Sequence, residues 1–342
     1  MDRVEGNKLA SQSMKNEWVN VKKMVDEEIK KIAEEIIFPE DLKSAAFHLI
    51  NAGGKRIRPF MLMLSAATFG VPYKVSLPAA VSIELLHNFT LIHDDIMDKD
   101  EYRRGVPTTH VTYGEPMAIL AGDFLFSHLH KYLIEKYLEL GVSRDVIINV
   151  ILALSEAMDN ICYGQTMDLM PKKYIKTIDD YLRMVYYKTA SLIEVSTYIG
   201  AILGTNEPDK INKLRTYGKN IGIAFQIADD ILGIYGDTKV TGKPVGNDIR
   251  MGKHTILVMM ALNKMSEEEK KIFLNIFGNM SATDDQIKIA IDILNKYNVR
   301  REATKIMENL ASEAIKALRG LPDNKYKQYL EELSYFIIYR EK

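Results

Sequence analysis

Apolar residues recur every three or four positions along almost the whole chain, and this spacing limits the possible folds more than any other feature. From Met14 to Ile37, charged residues separate the apolar ones, which is typical of an amphipathic helix. The breaks between such segments are short, and none resembles a flexible linker. We therefore predict an all-α protein forming a single large domain over residues 1–342, with residues 1–13 as a candidate disordered end. Longer helices are predicted over Val75–Met97, Met117–Leu138, Val146–Met170, Asp179–Leu203 and Lys210–Ile234.

The composition argues against several classes of protein. The 45 basic and 46 acidic residues leave a formal charge of −1, so no global charge attracts nucleic acid or an anionic membrane. No uncharged apolar run reaches about 18 residues, and the amino terminus lacks the apolar core of a signal peptide. We therefore expect no stable membrane insertion and a cytoplasmic location. The single cysteine, Cys162, excludes an intrachain disulfide and is interpreted as a small core residue.

Two of the predicted helices end in acidic clusters. Asp94, Asp95 and Asp98 close one helix, and Asp229 and Asp230 lie near the end of another. Residues four apart in a helix differ by about 40° around its axis, so Asp94 and Asp98 share a face. Carboxylates this close repel each other unless a cation lies among them, and oxygen ligands without cysteine suit Mg²⁺. Solvated helix ends are the alternative, but two such clusters favour a metal.

A phosphorylated ligand should accompany this metal. Mg²⁺ usually binds through one or two carboxylates plus substrate phosphates, and basic residues should then be close by. His87 lies seven residues before Asp94, nearly two helical turns, and therefore on the same face. Arginine can bind phosphate oxygens in a bidentate manner, and lysine acts as a compact charge. The candidates are Lys55, Arg56, Arg58, Arg103, Arg104, Lys188, Lys243 and Lys253.

Seven segments occur in a characteristic order between Asn51 and Thr255: GGKRIRP, ELLHNFTLIHDDIMDKDEYRRGVPTTH, GDFLF, GQTMDL, KTASL, FQIADDILG and GKPVGNDIRMGKHT. In this set the chain resembles the trans-isoprenyl diphosphate synthases, also called polyprenyl synthetases, and most of all the archaeal-type geranylgeranyl diphosphate synthases. The resemblance implies an isoprenoid synthase fold, in which long helices surround a central cavity, and usually a homodimer. It also implies a prenyltransferase that joins isopentenyl diphosphate to an allylic diphosphate of C5, C10 or C15.

The resemblance also implies roles for individual residues. Asp94, Asp98 and Asp229 would carry Mg²⁺, normally three ions, with Asp95 and Asp230 supporting them. The allylic diphosphate would be held by Arg103, Lys188, Lys243 and Lys253. Isopentenyl diphosphate would be held by Lys55, Arg58, His87 and Arg104, with Arg56 as a helper. Thr189 and Gln226, with the carbonyl of Lys188, would face the carbocation formed when the allylic diphosphate departs. Where many relatives have a third aspartate in the second motif this chain has Gly233, and Asp237 or a water could fill the gap.

The length of the product should depend on the depth of the apolar cavity below the first aspartates. At about 1.5 Å per residue, Phe89 lies about 7–8 Å below Asp94 along the helix. A large ring there, the smaller Thr90 beside it and no insertion in DDIMD resemble the archaeal-type C20 synthases, with Leu86 one turn further down. We expect mainly a C20 product, with C15 or C25 as alternatives.

Two other classes remain to be separated from this one. A class I terpene cyclase has no use for a second diphosphate site, which GGKRIRP, Arg104 and His87 supply here. A non-catalytic synthase subunit usually loses the acids or the basic residues, and this chain keeps both.

Overall fold

Long helices joined by short turns make up the described part of the chain, which covers residues 10–236 and 245–339 of a computed structural model. The predicted all-α fold is confirmed, and the strands are confined to one two-stranded hairpin. The first nine helices are α1 Gln12–Glu35, α2 Glu40–Asn51, α3 Ile57–Thr68, α4 Tyr73–Asp98, α5 Thr109–Tyr113, α6 Glu115–Glu139, α7 Arg144–Leu169, α8 Pro171–Tyr174 and α9 Ile178–Val185.

One predicted helix, Asp179–Leu203, is interrupted in the structure. A π-helical turn, Tyr186–Ala190, separates α9 from the next helix, and the sequence did not predict it. The hairpin strands are β1 Tyr102–Arg103 and β2 Val106–Pro107. The remaining helices are α10 Ser191–Gly204, α11 Pro208–Tyr235, α12 Asn247–Arg250, α13 Ile256–Leu262, α14 Glu267–Ile276, α15 Asp284–Lys296, α16 Val299–Ala317 and α17 Lys325–Ile338.

The helices pack side by side, and the innermost ones are apolar all round. Helix α3 is enclosed by α4 and α10, since every residue from Pro59 to Thr68 is buried. Helix α6 packs against the other side of α4, and α11 lies between α10 and α16. A helix that is hydrophobic on all sides belongs in the centre of a large core. This arrangement holds α4 and α11, which carry the two acidic clusters, in fixed positions on either side of the inner helices.

The amino-terminal end of the described chain is part of the fold. Helix α1 begins at Gln12, and the Ser11 side chain accepts a hydrogen bond from the Met14 amide. Ala10 is buried. The expectation of disorder is therefore wrong for residues 10–13, and residues 1–9 lie outside the described residues.

Two helices, α4 and α7, are long and apolar enough to cross a membrane by length and composition alone. The apolar window of α4 is 72% buried inside the protein, so α4 is a core helix. The window of α7 is only 33% buried, which leaves an apolar face of this helix uncovered. Cys162 is exposed on α7, so the prediction that it is a core residue is wrong.

Candidate active site

The last two turns of α4 bring three carboxylates together. The helix ends at Lys99, whose left-handed backbone (φ 56°) stops it directly after Asp98. Burial and the neighbouring Asp94 raise the pKa of Asp98. Burial also raises the pKa of Asp95 to about 6, although Arg103 acts in the opposite direction. Oδ2 of Asp95 is buried and has no hydrogen-bond partner among the described residues. The cluster is thus short of positive charge and of hydrogen-bond donors.

The hairpin after α4 places two consecutive arginines in different surroundings. Arg104 and Gly105 form its two-residue loop with φ values of 55° and 79°, as a type I′ turn requires. Nε of Arg103 lies 2.5 Å from Oδ1 of Asp95, and its Nη2 lies 3.6 Å from Oδ2 of Asp94. Arg104 instead donates to the carbonyl of Leu49 at 2.6 Å. The turn therefore places Arg103 among the acids and Arg104 beside α2, where it also donates to Oδ1 of Asn88 on α4 at 3.2 Å.

The π-helical turn carries Lys188 to the first acidic cluster. Its Nζ lies 2.5 Å from Oδ2 of Asp168 and 3.3 Å from Oδ1 of Asp94. Burial alone would lower the pKa of Lys188, but Asp168 and Asp94 together raise it, so the ammonium stays charged. Helix α7 comes unusually close at this point, because a Cβ on Gly164 would lie 2.2 Å from the Lys188 amide nitrogen. Only glycine allows this approach.

The next residue of the same turn reaches the second acidic cluster on α11. The Thr189 hydroxyl donates to Oε1 of Gln226 at 3.0 Å, and Nε2 of Gln226 donates to Oδ1 of Asp230 at 3.0 Å. Burial raises the pKa of Asp230 to about 7, although the Tyr181 and Gln226 hydrogen bonds oppose this. Lys188 and Thr189 thus connect the two clusters that the sequence separates by more than a hundred residues.

Other charges also act across the space between the clusters. The positive charge of Lys253 lowers the pKa of Asp98, whereas burial raises it. The negative charge of Asp229 raises the pKa of Arg58, whereas burial lowers it. Both pairs join residues from opposite sides of the predicted cavity. Lys243 and Asp237, which the sequence placed near this site, lie outside the described residues.

The carboxylates suit a divalent cation that arrives with its ligand. Among residues 10–236 and 245–339, no three acidic or histidine side chains stand ready as a metal cage. In this state the positive charges of Arg103 and Lys188 lie among the acids of the first cluster. Mg²⁺ needs only one or two carboxylates when phosphate oxygens complete its shell. The unpartnered oxygen of Asp95 and the hard oxygen donors fit such an ion.

A second group of cationic side chains lies beside α4. Nη1 of Arg58 lies 3.2 Å from Nε2 of His87. Burial and the charges of Arg58 and Arg104 lower the pKa of His87 well below its usual value, so the ring is neutral. Burial also lowers the pKa of Arg58 to about 10, and its buried Nε has no hydrogen-bond partner in the described structure. Positive groups buried with so little compensation suit an anionic ligand. Lys55 is exposed at the rim of this group.

Arg56 does not join this group. Its guanidinium is buried, with Nε 2.7 Å from Asp26 and Nη1 2.8 Å from Glu84. Both partners are carboxylates, so the charge of Arg56 is already neutralised. The role of a ligand-binding helper does not fit, and Arg56 instead fixes the loop that carries Lys55 and Arg58.

The residues expected to limit the cavity lie between α4 and α6. The ring of Phe89 packs on Phe126 at 5.1 Å and on His93 at 4.7 Å between centroids. Thr90 is half-buried, and Leu86 is fully buried in the core. Nε2 of His93 lies 3.3 Å from the carbonyl oxygen of Ile119 on α6, a contact typical of a structural histidine.

Sequence reasoning missed three residues that the structure brings to the site. Asp168 binds Lys188, Tyr181 binds Asp230, and Asp248 lies against Gly233. Asp168 is the fifth residue of the GQTMDL segment, so a search for acids within the recognised segments would have found it. Tyr181 gave no signal, because a lone tyrosine in an amphipathic helix is usually a packing residue.

The gap left by Gly233 is filled from another segment. Gly233 lies one turn after Asp229, on the same face of α11. A Cβ on Gly233 would lie 2.0 Å from Oδ2 and 2.7 Å from Cγ of Asp248. The carboxylate of Asp248 therefore occupies the place where a third aspartate of the motif would begin.

We expect Gly233→Ala to weaken metal binding without unfolding the protein. The added methyl group forces Asp248 to turn away, whereas alanine itself favours the helix by about 1 kcal/mol. The measurement is the rise in melting temperature caused by Mg²⁺ with inorganic diphosphate. The Mg²⁺ concentration for half of this rise should increase by roughly ten- to a hundredfold, as for other groups that support metal ligands.

Asp248→Ala is the matched variant for this prediction. It should show the same loss, and adding Gly233→Ala to it should change nothing further. A Gly233→Ala protein that binds Mg²⁺ as the unaltered chain does would contradict this account of Asp248.

The site can now be compared with known proteins. The chain is 44% identical over 279 residues to a short chain isoprenyl diphosphate synthase of Methanocaldococcus jannaschii, covering 80% of this chain and 82% of that protein. It is 41% identical over 304 residues to a geranylgeranyl diphosphate synthase of Saccharolobus solfataricus, covering 88% and 91%. It is 44% identical over 261 residues to a geranylfarnesyl diphosphate synthase of Aeropyrum pernix, covering 75% and 80%.

Solved structures show the same likeness. A geranylgeranyl pyrophosphate synthetase from Pyrococcus horikoshii superposes with a TM-score of 0.89 at 40% identity, covering 96% of this chain and 100% of that chain. A geranylgeranyl pyrophosphate synthase from Corynebacterium glutamicum, complexed with isoprenyl diphosphate and magnesium, superposes with a TM-score of 0.81 at 25% identity, covering 95% and 98%.

The model of the family described as Polyprenyl synthetase matches residues 39–294. This match includes both acidic helix ends and every cationic side chain described above. The chain is therefore a prenyltransferase and belongs to the polyprenyl synthetase family.

Proposed function

We propose that this chain is a geranylgeranyl diphosphate synthase. It condenses isopentenyl diphosphate with C5, C10 or C15 allylic diphosphates and ends mainly at C20. The proposal rests on the contacts of Lys188 and Thr189. Lys188 contacts Asp94 of the first acidic cluster, and Thr189 bonds to Gln226 beside the second. A separate cationic group lies next to them. Two diphosphate sites are what a condensation needs, whereas a terpene cyclase needs only one. The named geranylgeranyl synthases among the relatives support the same reaction.

The first diphosphate site would bind the allylic substrate with Mg²⁺, and we propose three ions. Asp94, Asp98 and Asp229 would bind them, with Asp95 and Asp230 as supporting groups. Bound Mg²⁺ supplies a Lewis acid that neutralises charge on the departing diphosphate. The magnesium complex of the Corynebacterium enzyme supports this choice of ion. Arg103, Lys188 and Lys253 would hold the diphosphate, and Lys243 joins them by resemblance alone.

Lys188 and Arg103 would exchange partners when the substrate binds. In the described state both are neutralised by aspartates. Cations taking over those carboxylates would free the ammonium and guanidinium for phosphate oxygens. Preorganised positive groups of this kind stabilise charge that develops in the transition state and cost little rearrangement.

The second diphosphate site would hold isopentenyl diphosphate through Lys55, Arg58, His87 and Arg104. Nε2 of the neutral His87 ring accepts from Arg58, so the ring proton is assigned to Nδ1. This leaves His87 as an uncharged donor beside the arginines. After the π bond of isopentenyl diphosphate attacks the carbocation, the released diphosphate would take the proton, so no side chain need act as the base.

The first experiment tests the reaction and its end point together. Purified protein is incubated with isopentenyl diphosphate, Mg²⁺ and, separately, each allylic diphosphate from C5 to C15, and the dephosphorylated products are measured by mass spectrometry. We expect a C20 alcohol from all three primers and none in the presence of EDTA.

Other outcomes of this assay have distinct meanings. A C15 or C25 end point would agree with the condensation but would place the floor of the cavity elsewhere. The geranylfarnesyl diphosphate synthase of Aeropyrum pernix is a relative named for the C25 product. A cyclic hydrocarbon would indicate a terpene cyclase. No turnover would indicate a non-catalytic subunit of a prenyl synthase.

We propose that Phe89 forms the floor of the product cavity, with Thr90 and Leu86 shaping the space around it. Phe89 is 7% exposed and rests on Phe126 of α6, so a growing chain that passes Asp94 would meet a two-ring wall. Phe89→Ala should therefore extend the product by at least one C5 unit, measured with the C15 primer.

Phe124→Ala is the control for this substitution. Phe124 also lies on α6 but stacks on His128 of its own helix, away from Phe89. Its removal should leave the product length unchanged. A C20 product from both variants would rule out Phe89 as the floor.

We also propose that the enzyme is a cytoplasmic homodimer without membrane insertion. Leu120 of α6 and Ile148 and Leu152 of α7 are 55%, 53% and 60% exposed, and a second copy would cover them. Sedimentation without detergent should give the mass of two chains. Leu152→Glu should shift it toward one chain, whereas Ile289→Glu, an equally apolar exposed site on α15, should not.

A further inference from the structure

Asp230 is more firmly held than the other acids of the site. Its carboxylate accepts from Gln226 Nε2 on one oxygen, and from the Tyr181 hydroxyl at 2.5 Å and the Ile256 amide at 3.2 Å on the other. Asp230 is only 6% exposed. Three donors from three helices therefore fix the rotation of this carboxylate, so it is suited to hold other groups in place.

The fixed carboxylate determines how Gln226 is turned. A carboxylate only accepts hydrogen bonds, so the NH₂ group of Gln226 must face Asp230. Its oxygen, Oε1, then faces Thr189, and the Thr189 hydroxyl must use its hydrogen to donate to it. The lone pairs of the Thr189 oxygen are left for the cavity. The three donors favour the ionised form of Asp230, and in that form its position determines every direction in this chain of hydrogen bonds.

Tyr181 is the outermost member of the chain. It is 1% exposed near the centre of α9, five residues before the π-helical turn that carries Thr189. Its hydroxyl hydrogen is directed at Asp230. Without this hydrogen bond, the second oxygen of Asp230 would keep only the Ile256 amide, and the carboxylate could rotate. The direction of the Thr189 hydroxyl would then no longer be determined.

We propose that Tyr181 is a positioning residue for the prenyl transfer reaction. Acting through Asp230 and Gln226, it keeps the Thr189 lone pairs, rather than the hydroxyl hydrogen, directed at the allylic carbocation. A dipole with its negative end toward the developing charge stabilises the transition state, and the reverse orientation destabilises it. This inference rests on the proposed function of the site.

Tyr181→Phe tests the proposal with the loss of a single oxygen atom. Because the effect arises only when charge develops, kcat should fall by roughly ten- to a hundredfold. The KM values for both diphosphates should stay within about twofold. Tyr217→Phe is the matched control, because Tyr217 is also fully buried and donates to a main-chain carbonyl, that of Leu330. It should leave kcat unchanged.

A double-mutant cycle separates positioning from general loosening of the structure. Thr189→Val removes the hydroxyl on which Tyr181 would act. In that background Tyr181→Phe should have almost no further effect on kcat, whereas independent effects would multiply. Gln226→Met breaks the same chain from the other side and serves if Tyr181→Phe fails to fold, with melting temperatures recorded for every variant.

The outcomes distinguish this inference from the proposed function. If the unaltered chain elongates no primer, the proposed function is wrong and the role of Tyr181 falls with it. If it elongates normally and Tyr181→Phe does too, or if the effects of Tyr181→Phe and Thr189→Val multiply, the positioning role alone is wrong.

Discussion

The site depends on one constraint, the placement of Lys188 and Thr189 side by side on a π-helical turn. In a regular α-helix, consecutive side chains point about 100° apart. Two neighbouring residues therefore rarely contact opposite walls of one cavity. The wider turn Tyr186–Ala190 changes this geometry, and π turns often occur at functional sites. Lys188 then reaches the acids of α4, and Thr189 reaches Gln226 on α11. Two adjacent residues of this turn thus link the two acidic clusters.

Electrostatic balance explains why the acids can be assembled in the absence of metal. Carboxylates gathered at helix ends repel each other and face the unfavourable end of the helix dipole. Arg103 and Lys188 neutralise the first cluster, and hydrogen-bond donors satisfy Asp230. The same positive groups are those that a diphosphate would need. Under the proposed function, the charges that would bind the substrate are thus paired with the acids that would bind the metal until both ligands arrive.

Close neighbours in sequence take different roles because their surroundings differ. Arg56 is buried between Asp26 and Glu84. Arg58, two residues later, has no carboxylate bonded to it in the described part of the chain and lies against His87. Arg103 and Arg104 diverge in the same way, since Arg103 ends a strand and Arg104 begins the tight turn that reverses the chain. Residue type alone predicted all four as ligands of phosphate. Only the packing of α1 and α4 around the loop shows that one of them is structural.

The sequence by itself determined the helices, the two acidic ends and the family, because apolar spacing and short motifs are local properties. The predicted helix Val75–Met97, for example, became Tyr73–Asp98. The tertiary structure determined the contacts between residues distant in sequence, which local patterns cannot predict. Asp168 meets Lys188 across 20 positions, Tyr181 meets Asp230 across 49, and Cys162 is exposed rather than buried in the core. These contacts depend on how whole helices pack, and periodicity specifies which face of a helix is apolar but not which partner covers it.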